Sequence, residues 1–320
     1  MCGMMPLAGV LRAVVREQLG GGETSENCFE RFMKRVSSYI AAFRLRTLLL
    51  SMTGVLLGML LAVGDGAFRI LPFILALTTT LCLQILSNIS NELGDTLHGT
   101  DTEERQGAIY PLQNGELTIG DYRRMIVWFV ILSIVSGTAL VATSFDILFS
   151  RDGIFMLVLG GCAILAAMGY TLGRRPYGYR GWGDLFVFIF FGLVSTSGSN
   201  FLMTGQMDWN VLLPASACGF LTVGVLNVNN IRDMETDRIN RVTIPIIIGE
   251  RRAKIYQIIC ETLPFVLLTV YCMLEDSAWP AYLFWLLLPV VVLHLRAVWR
   301  ESGRALDARL PQLVLLTAVI

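Results

Sequence analysis

The chain has 320 residues, 54% of them hydrophobic, and a mean hydropathy of +0.62. That composition excludes an ordinary soluble domain and predicts an all-α, polytopic transmembrane helical bundle. The 25 Lys and Arg residues balance the 25 Asp and Glu residues, so no bulk positive field is available to hold nucleic acid.

Residues 1–40 read as an N-terminal extension ahead of a membrane domain spanning 41–320. Residues 29–43 are basic and amphipathic, suited to the membrane interface or to a cytoplasmic extension of the first span. A membrane helix needs about 20 mainly apolar residues. Segments of that kind lie near 47–63, 70–94, 122–143, 153–170, 184–203, 210–230, 253–273 and 279–298. A ninth starts near Leu310 and stops at Ile320, roughly half a span, as a truncated helix would. The expectation is therefore about nine helices in a lipid bilayer. The seven cysteines are scattered, mostly inside apolar runs, and no CxxC occurs. They read as small core residues, with neither a disulfide frame nor a zinc site.

Charge sorts the loops. Of the 25 basic residues, only Arg69 and Arg151 fall in the loops that alternate with the basic ones. By the positive-inside rule, this is a multi-pass cell-membrane protein whose N-terminus and long loops are cytoplasmic.

Two acidic runs close apolar, membrane-length segments on that side. The first is Asn88-Ile89-Ser90-Asn91-Glu92-Leu93-Gly94-Asp95, with Asp101 after it. The second is Asn230-Ile231-Arg232-Asp233-Met234-Glu235-Thr236-Asp237. Asn88, Asn91 and Asp95 repeat the i, i+3, i+7 spacing of Asn230, Asp233 and Asp237, which places each set on one helical face. The helix macrodipole already disfavours negative charge at a C-terminus, so gathered carboxylates there need a cation. Facing sets of oxygen ligands point to Mg2+ carrying a phosphorylated substrate. Arg105, Arg238 and Arg241 follow the acidic runs, as a metal-bridged diphosphate requires. The repeated face followed by a basic loop is also a weak internal repeat, suggesting two similar halves around a shared cavity. His98 sits in the first loop as an ordinary loop residue, and His294, ending the eighth segment, is expected at the interface.

The pattern Asn91, Asp95, Asp101 with Asp233, Asp237 resembles the UbiA-type membrane prenyltransferase superfamily. The step from Asp95 to Asp101 is similar to that of its naphthoate branch. Arg44-Leu45-Arg46-Thr47-Leu48, Tyr170-Thr171, the run from Gly178 to Phe186, and Leu226 to Asp233 resemble further motifs of that branch. The resemblance covers about residues 40 to 320. It implies a helical bundle whose central cavity opens to lipid. It also implies Mg2+ held by Asn91, Asp95, Asp101, Asp233 and Asp237. The implied reaction transfers a polyprenyl group from polyprenyl diphosphate to 1,4-dihydroxy-2-naphthoate, with loss of CO2 and diphosphate, giving demethylmenaquinol. Arg44, Arg46, Asn88, Arg105, Tyr170, Tyr179, Asn230, Arg238 and Arg241 are the expected substrate contacts. Asp95 and Asp233 are the expected catalytic carboxylates, with Asp184 or Glu92 as candidate proton acceptor.

Three positions depart from the family pattern. Glu92 stands where Asp is usual, Arg241 where Lys is common, and Ile247 where that branch often has Arg. Two other readings stay open at this level. One is a UbiA-type enzyme with 4-hydroxybenzoate or a similar acceptor; the other is a transporter whose membrane carboxylates carry coupling ions.

Overall fold

A computed structural model describes residues 23–99 and 110–320. Their regular structure is helical, and the strand-like pairing among them is an isolated parallel bridge between Arg180 and Val242. A surface helix α1 (Glu23–Ala42) leads into α2 (Leu45–Gly64), α3 (Ile70–His98), α4 (Ile119–Ser144) and α5 (Arg151–Gly169). Then come α6 (Gly183–Thr204) and α7 (Leu212–Arg232), the short α8 (Met234–Asp237) and α9 (Ile244–Ile248), and α10 (Glu250–Leu274). A 3-10 stretch, Trp279–Leu287, runs into α11 (Leu288–Arg300), and α12 (Arg309–Val319) ends the chain. Among the described residues, 8 helices are long and apolar enough to cross a membrane. They match the eight expected segments in order, and α12 is the short ninth, with 11 residues. Asp101 and Arg105 lie outside the described residues, as does the side chain of Arg46.

Small residues let the central helices approach closely, which is how membrane helices gain packing without a hydrophobic drive between them. A Cβ on Gly192 of α6 would lie 2.5 Å from Gly219 Cα and 2.7 Å from the Ala215 carbonyl of α7. Gly192 belongs to a π-helical turn, Phe188–Val194, inside α6. Such turns interrupt the usual ladder and often mark functional positions. On the other side, α6 packs on α2 through Gly54 and Gly58. An apolar cavity of about 330 Å³ is enclosed by α2, α3, α4, α5 and α6, lined by Val55, Thr79, Gly137, Met156, Gly160 and Gly198 among others. Large apolar side chains such as Trp128, Val135, Phe155 and Leu165 are exposed along the spans, as lipid-facing residues are.

Arg69, one of the two basic residues that break the charge rule, is occupied. Its Nη1 donates to the carbonyls of Thr143 and Ser144 at 3.3 and 3.2 Å. Its Nη2 donates to Ser144, Leu202 and Met203 at 3.2, 2.6 and 3.0 Å. These carbonyls close α4 and α6, where the last turn lacks intrahelical donors and the dipole is negative. One guanidinium thus caps two helices. Arg69→Ala should lower stability by about 2 kcal/mol, read as a lower thermal midpoint in detergent. Arg69→Lys should recover only part of this, because one ammonium cannot reach both ends.

Candidate active site

The first acidic face is built on the last turns of α3, and its members take different partners. Asn88 turns toward α2: its amide donates to the Phe43 carbonyl and to Thr47 Oγ1, both at 2.8 Å. Gln84 donates to its oxygen at 3.0 Å. Glu92 is fully buried and accepts the Leu112 backbone N–H at 2.9 Å, fastening the segment before α4. Asn91 meets the Thr171 hydroxyl at 3.3 Å. The same hydroxyl donates to the Ser90 carbonyl at 3.0 Å. Gly94 makes this contact possible, since a Cβ there would lie 2.5 Å from Thr171 Oγ1.

Asp95 is the junction. It is 2% exposed, accepts the Tyr179 hydroxyl at 2.7 Å, and pairs with Arg241 Nη2 at 2.5 Å. The Arg241 guanidinium also lies 4.9 Å from the centre of the Tyr179 ring and reaches Asp237 more loosely, at 3.9 Å. Burial works against the charge on Arg241, but Asp95 and Asp237 outweigh it and hold the guanidinium more firmly protonated than usual. The two loops that supply Tyr179 and Arg241 are joined directly: the Val242 N–H donates to the Tyr179 carbonyl at 3.1 Å. The Tyr170 hydroxyl feels the charges of Arg241, Asp95, Asp184 and Asp237. Asp184 is buried at the start of α6, faced by Tyr256, and its Oδ2 has no hydrogen-bond partner among the described residues. His98 packs edge-on against Tyr179, with centroids 5.4 Å apart.

The second acidic run sits at the α7–α8 corner. Asp233, 3% exposed, is gripped by Arg232 through Nε at 2.7 Å and Nη2 at 2.6 Å. Arg232 also donates to Asn229 at 2.8 Å and to Asp307 at 2.7 Å. Asn230 is buried and Arg238 exposed.

Of the expected contacts, the fold therefore collects Asp95, Asp237, Arg241, Tyr179, Tyr170 and Asp184. It leaves Asn88 and Glu92 in structural bonds. Arg44 stacks over the Tyr110 ring at 3.7 Å. Among the described residues, no three His, Cys, Asp or Glu side chains converge as a metal site. Sequence reasoning missed Tyr256 and Asp307, which lie in no motif. It also misplaced His294, which is 4% exposed because its Nδ1 bonds the buried Glu261. An ionisable residue inside an apolar run was the signal available for Glu261.

Comparison with known proteins adds independent findings. The sequence pattern of the UbiA prenyltransferase family matches residues 51–316. The 1,4-dihydroxy-2-naphthoate octaprenyltransferase of Escherichia coli is 37% identical over 85% of this chain and 88% of its own length. The protein of the same name from Haemophilus influenzae is 34% identical over 78% of this chain and 82% of its own. A UbiA homologue from Aeropyrum pernix shares the fold with a TM-score of 0.64 at 15% identity, covering 85% of this chain and 96% of that one. So does one from Archaeoglobus fulgidus, solved with DMAPP and Mg2+, with a TM-score of 0.60 at 14% identity over 88% of this chain and 99% of that one.

Tyr179→Phe removes the hydroxyl from Asp95 and leaves the ring beside Arg241. Prenyl transfer in lipid vesicles should fall by about tenfold, roughly 1.4 kcal/mol of barrier. Tyr179→Leu, which loses the ring as well, should fall further. A wild-type rate for the Phe variant would remove the hydroxyl from the site.

Proposed function

Because this chain belongs to the UbiA prenyltransferase family, we propose that it transfers a polyprenyl group from polyprenyl diphosphate to 1,4-dihydroxy-2-naphthoate. CO2 and diphosphate leave, and the product is demethylmenaquinol, a step of menaquinone biosynthesis. The observation that carries this reading is the Asp95–Tyr179–Arg241–Asp237 cluster at the joined cytoplasmic loops. The relatives named for the naphthoate reaction support the choice of acceptor.

The site suits Mg2+. Its donors are hard oxygens, and Arg241 already rests between Asp95 and Asp237 as a cation would. Asn91, Asp95, Asp101, Asp233 and Asp237 would hold the ion. Bound there, Mg2+ supplies positive charge against the negative charge that builds on the leaving diphosphate.

The chain's own groups do the rest. Arg241, with Arg238 and Arg105, takes diphosphate oxygens through forked hydrogen bonds. The allylic C–O bond then breaks with its electron pair leaving on diphosphate, the acceptor ring carbon supplies the pair for the new C–C bond, and the pair of the ring–carboxylate bond returns to the ring as CO2 departs. The Tyr170 and Tyr179 rings shield the allylic positive charge. The apolar cavity enclosed by α2 through α6 receives the tail and keeps water from the cation. Asp184, buried beside Tyr170 with a free oxygen, takes the acceptor's hydroxyl proton. Glu92 serves by fixing the segment before α4.

Mass spectrometry of products from membranes given 1,4-dihydroxy-2-naphthoate or 4-hydroxybenzoate with a set of prenyl diphosphates tests the reading. The naphthoate should yield a prenylated, decarboxylated product that disappears on chelation of Mg2+. Asp95→Asn and Asp233→Asn should each lower turnover by about a hundredfold, roughly 2.7 kcal/mol. Product from 4-hydroxybenzoate alone would reassign the acceptor.

The loop charges support a cytoplasmic face for the site. In a background lacking native cysteines, a thiol placed at Arg238 should be shielded from impermeant reagent outside intact cells, and one at Asp208 labelled. The opposite pattern would invert the topology.

A further inference from the structure

We propose that a buried polar chain, Asn227–Gln257–Glu261–His294, is a positioning device that fixes the height of α7 and so places the acidic turn Asp233–Asp237. The proposal rests on the reading of that turn as part of the diphosphate site. Asn227, Gln257 and Glu261 are fully buried and His294 is 4% exposed. The Asn227 amide donates to Gln257 Oε1 at 2.7 Å and to the Ala253 carbonyl at 3.0 Å. Gln257 Nε2 donates to Glu261 Oε1 at 2.8 Å. His294 Nδ1 lies 3.0 Å from both Glu261 oxygens. A carboxylate in this role only accepts, so Nδ1 carries the proton. The chain therefore links α7, α10 and α11 in the middle of the bundle.

Its cost argues for a purpose. An ionisable pair at membrane depth is expensive, and apolar residues of similar volume would pack these helices as well or better. What apolar packing does not supply is register, because lipid and Leu are equally apolar and helices meet them without direction. Hydrogen bonds fix register, the best-attested use of buried polar groups. Gly224 shows how tightly the interface is drawn: a Cβ there would lie 3.0 Å from Gln257 Nε2 and 3.4 Å from Cys260 Cβ. Asn227 stands on the same helix as Asp233, fewer than two turns before it. A slip of α7 along its axis therefore moves Asp233 and, through α8, Asp237. Next to Asn227, Val228 and Ile231 pack in a cluster with Ala253, Val298, Leu306 and Leu313, which sets separation but not height.

The test compares three variants in lipid nanodiscs: Asn227→Ala, which cuts the chain at α7; Glu261→Gln, which keeps the shape and acceptor oxygen; and combined Gln257→Leu, Glu261→Leu and His294→Leu, an apolar exchange. Backbone hydrogen exchange across residues 227–237 is read beside the KM for each substrate. Asn227→Ala and the triple variant should retain helical content, yet show faster exchange at 227–237. Their KM for prenyl diphosphate should rise about tenfold or more, as when a supporting shell is lost, with the acceptor KM nearly unchanged. Glu261→Gln should stay near wild type in both. A folded triple variant, or a folded Asn227→Ala, with wild-type exchange and KM overturns the proposal. Faster exchange with unchanged KM overturns instead the reading of the turn as the diphosphate site. Should the variants fail to fold, the wild-type protein still decides: amides of 227–233 and 257–261 should be protected to a common extent, and free exchange of 227–233 alone overturns the proposal.

Discussion

The ion pair between Asp95 and Arg241 is the contact on which this end of the molecule depends. Asp95 stands at the C-terminal end of α3, where the dipole and burial both oppose a negative charge. A guanidinium at 2.5 Å reverses that balance. The consequence is architectural. Arg241 can reach Asp95 only if the loop after α8 folds back across the end of α3. Val242 then pairs with Tyr179 and brings the loop after α5 with it. Three separate stretches are closed over one carboxylate, and each depends on the others being in place.

The same economy explains which polar residues stay available for chemistry. Residues spaced at i, i+3 and i+7 share a face, but a face about two turns long meets different neighbours along its length. Asn88 lies deep enough to touch α2 and is spent joining it. Asp95, at the rim, meets Tyr179 and Arg241 from two loops. On α7, Asp233 meets its own neighbour Arg232, which is tethered in turn to Asp307. An arginine thus stands against a carboxylate of each acidic run, keeping buried negative charge compensated.

Much of this was legible in the sequence, for identifiable reasons. The eight spans were readable because a bilayer demands about 20 apolar residues in a row, and each boundary falls where a charged or glycine-rich loop begins. The acidic faces were readable because charge at membrane depth is rare. Individual assignments within them were less so. Glu92 follows Asn91 directly, yet the helix turns it toward the segment before α4, and no periodicity names that partner. Tyr256 and Asp307 act through contacts between distant loops and helices. Glu261 and His294 are both ionisable residues in apolar runs, a signal the spacing argument left unused, and only the fold pairs them. Sequence spacing reports which residues share a face; it is silent on what the face meets.

Arg69 bears on how the chain is assembled. Its acceptors are the carbonyls closing α4 and α6, and both are synthesised well after the turn that carries it. In the orientation proposed above, a guanidinium crosses the membrane against the usual charge preference before any of its partners exist. Chains emerge N-terminus first, so this early debt is settled only when α6, the fifth span, has inserted and packed. The turn between α2 and α3 is thereby a late-maturing joint, and quality control that senses unpaired charge among membrane helices would find it exposed in every nascent chain that stops short of residue 203.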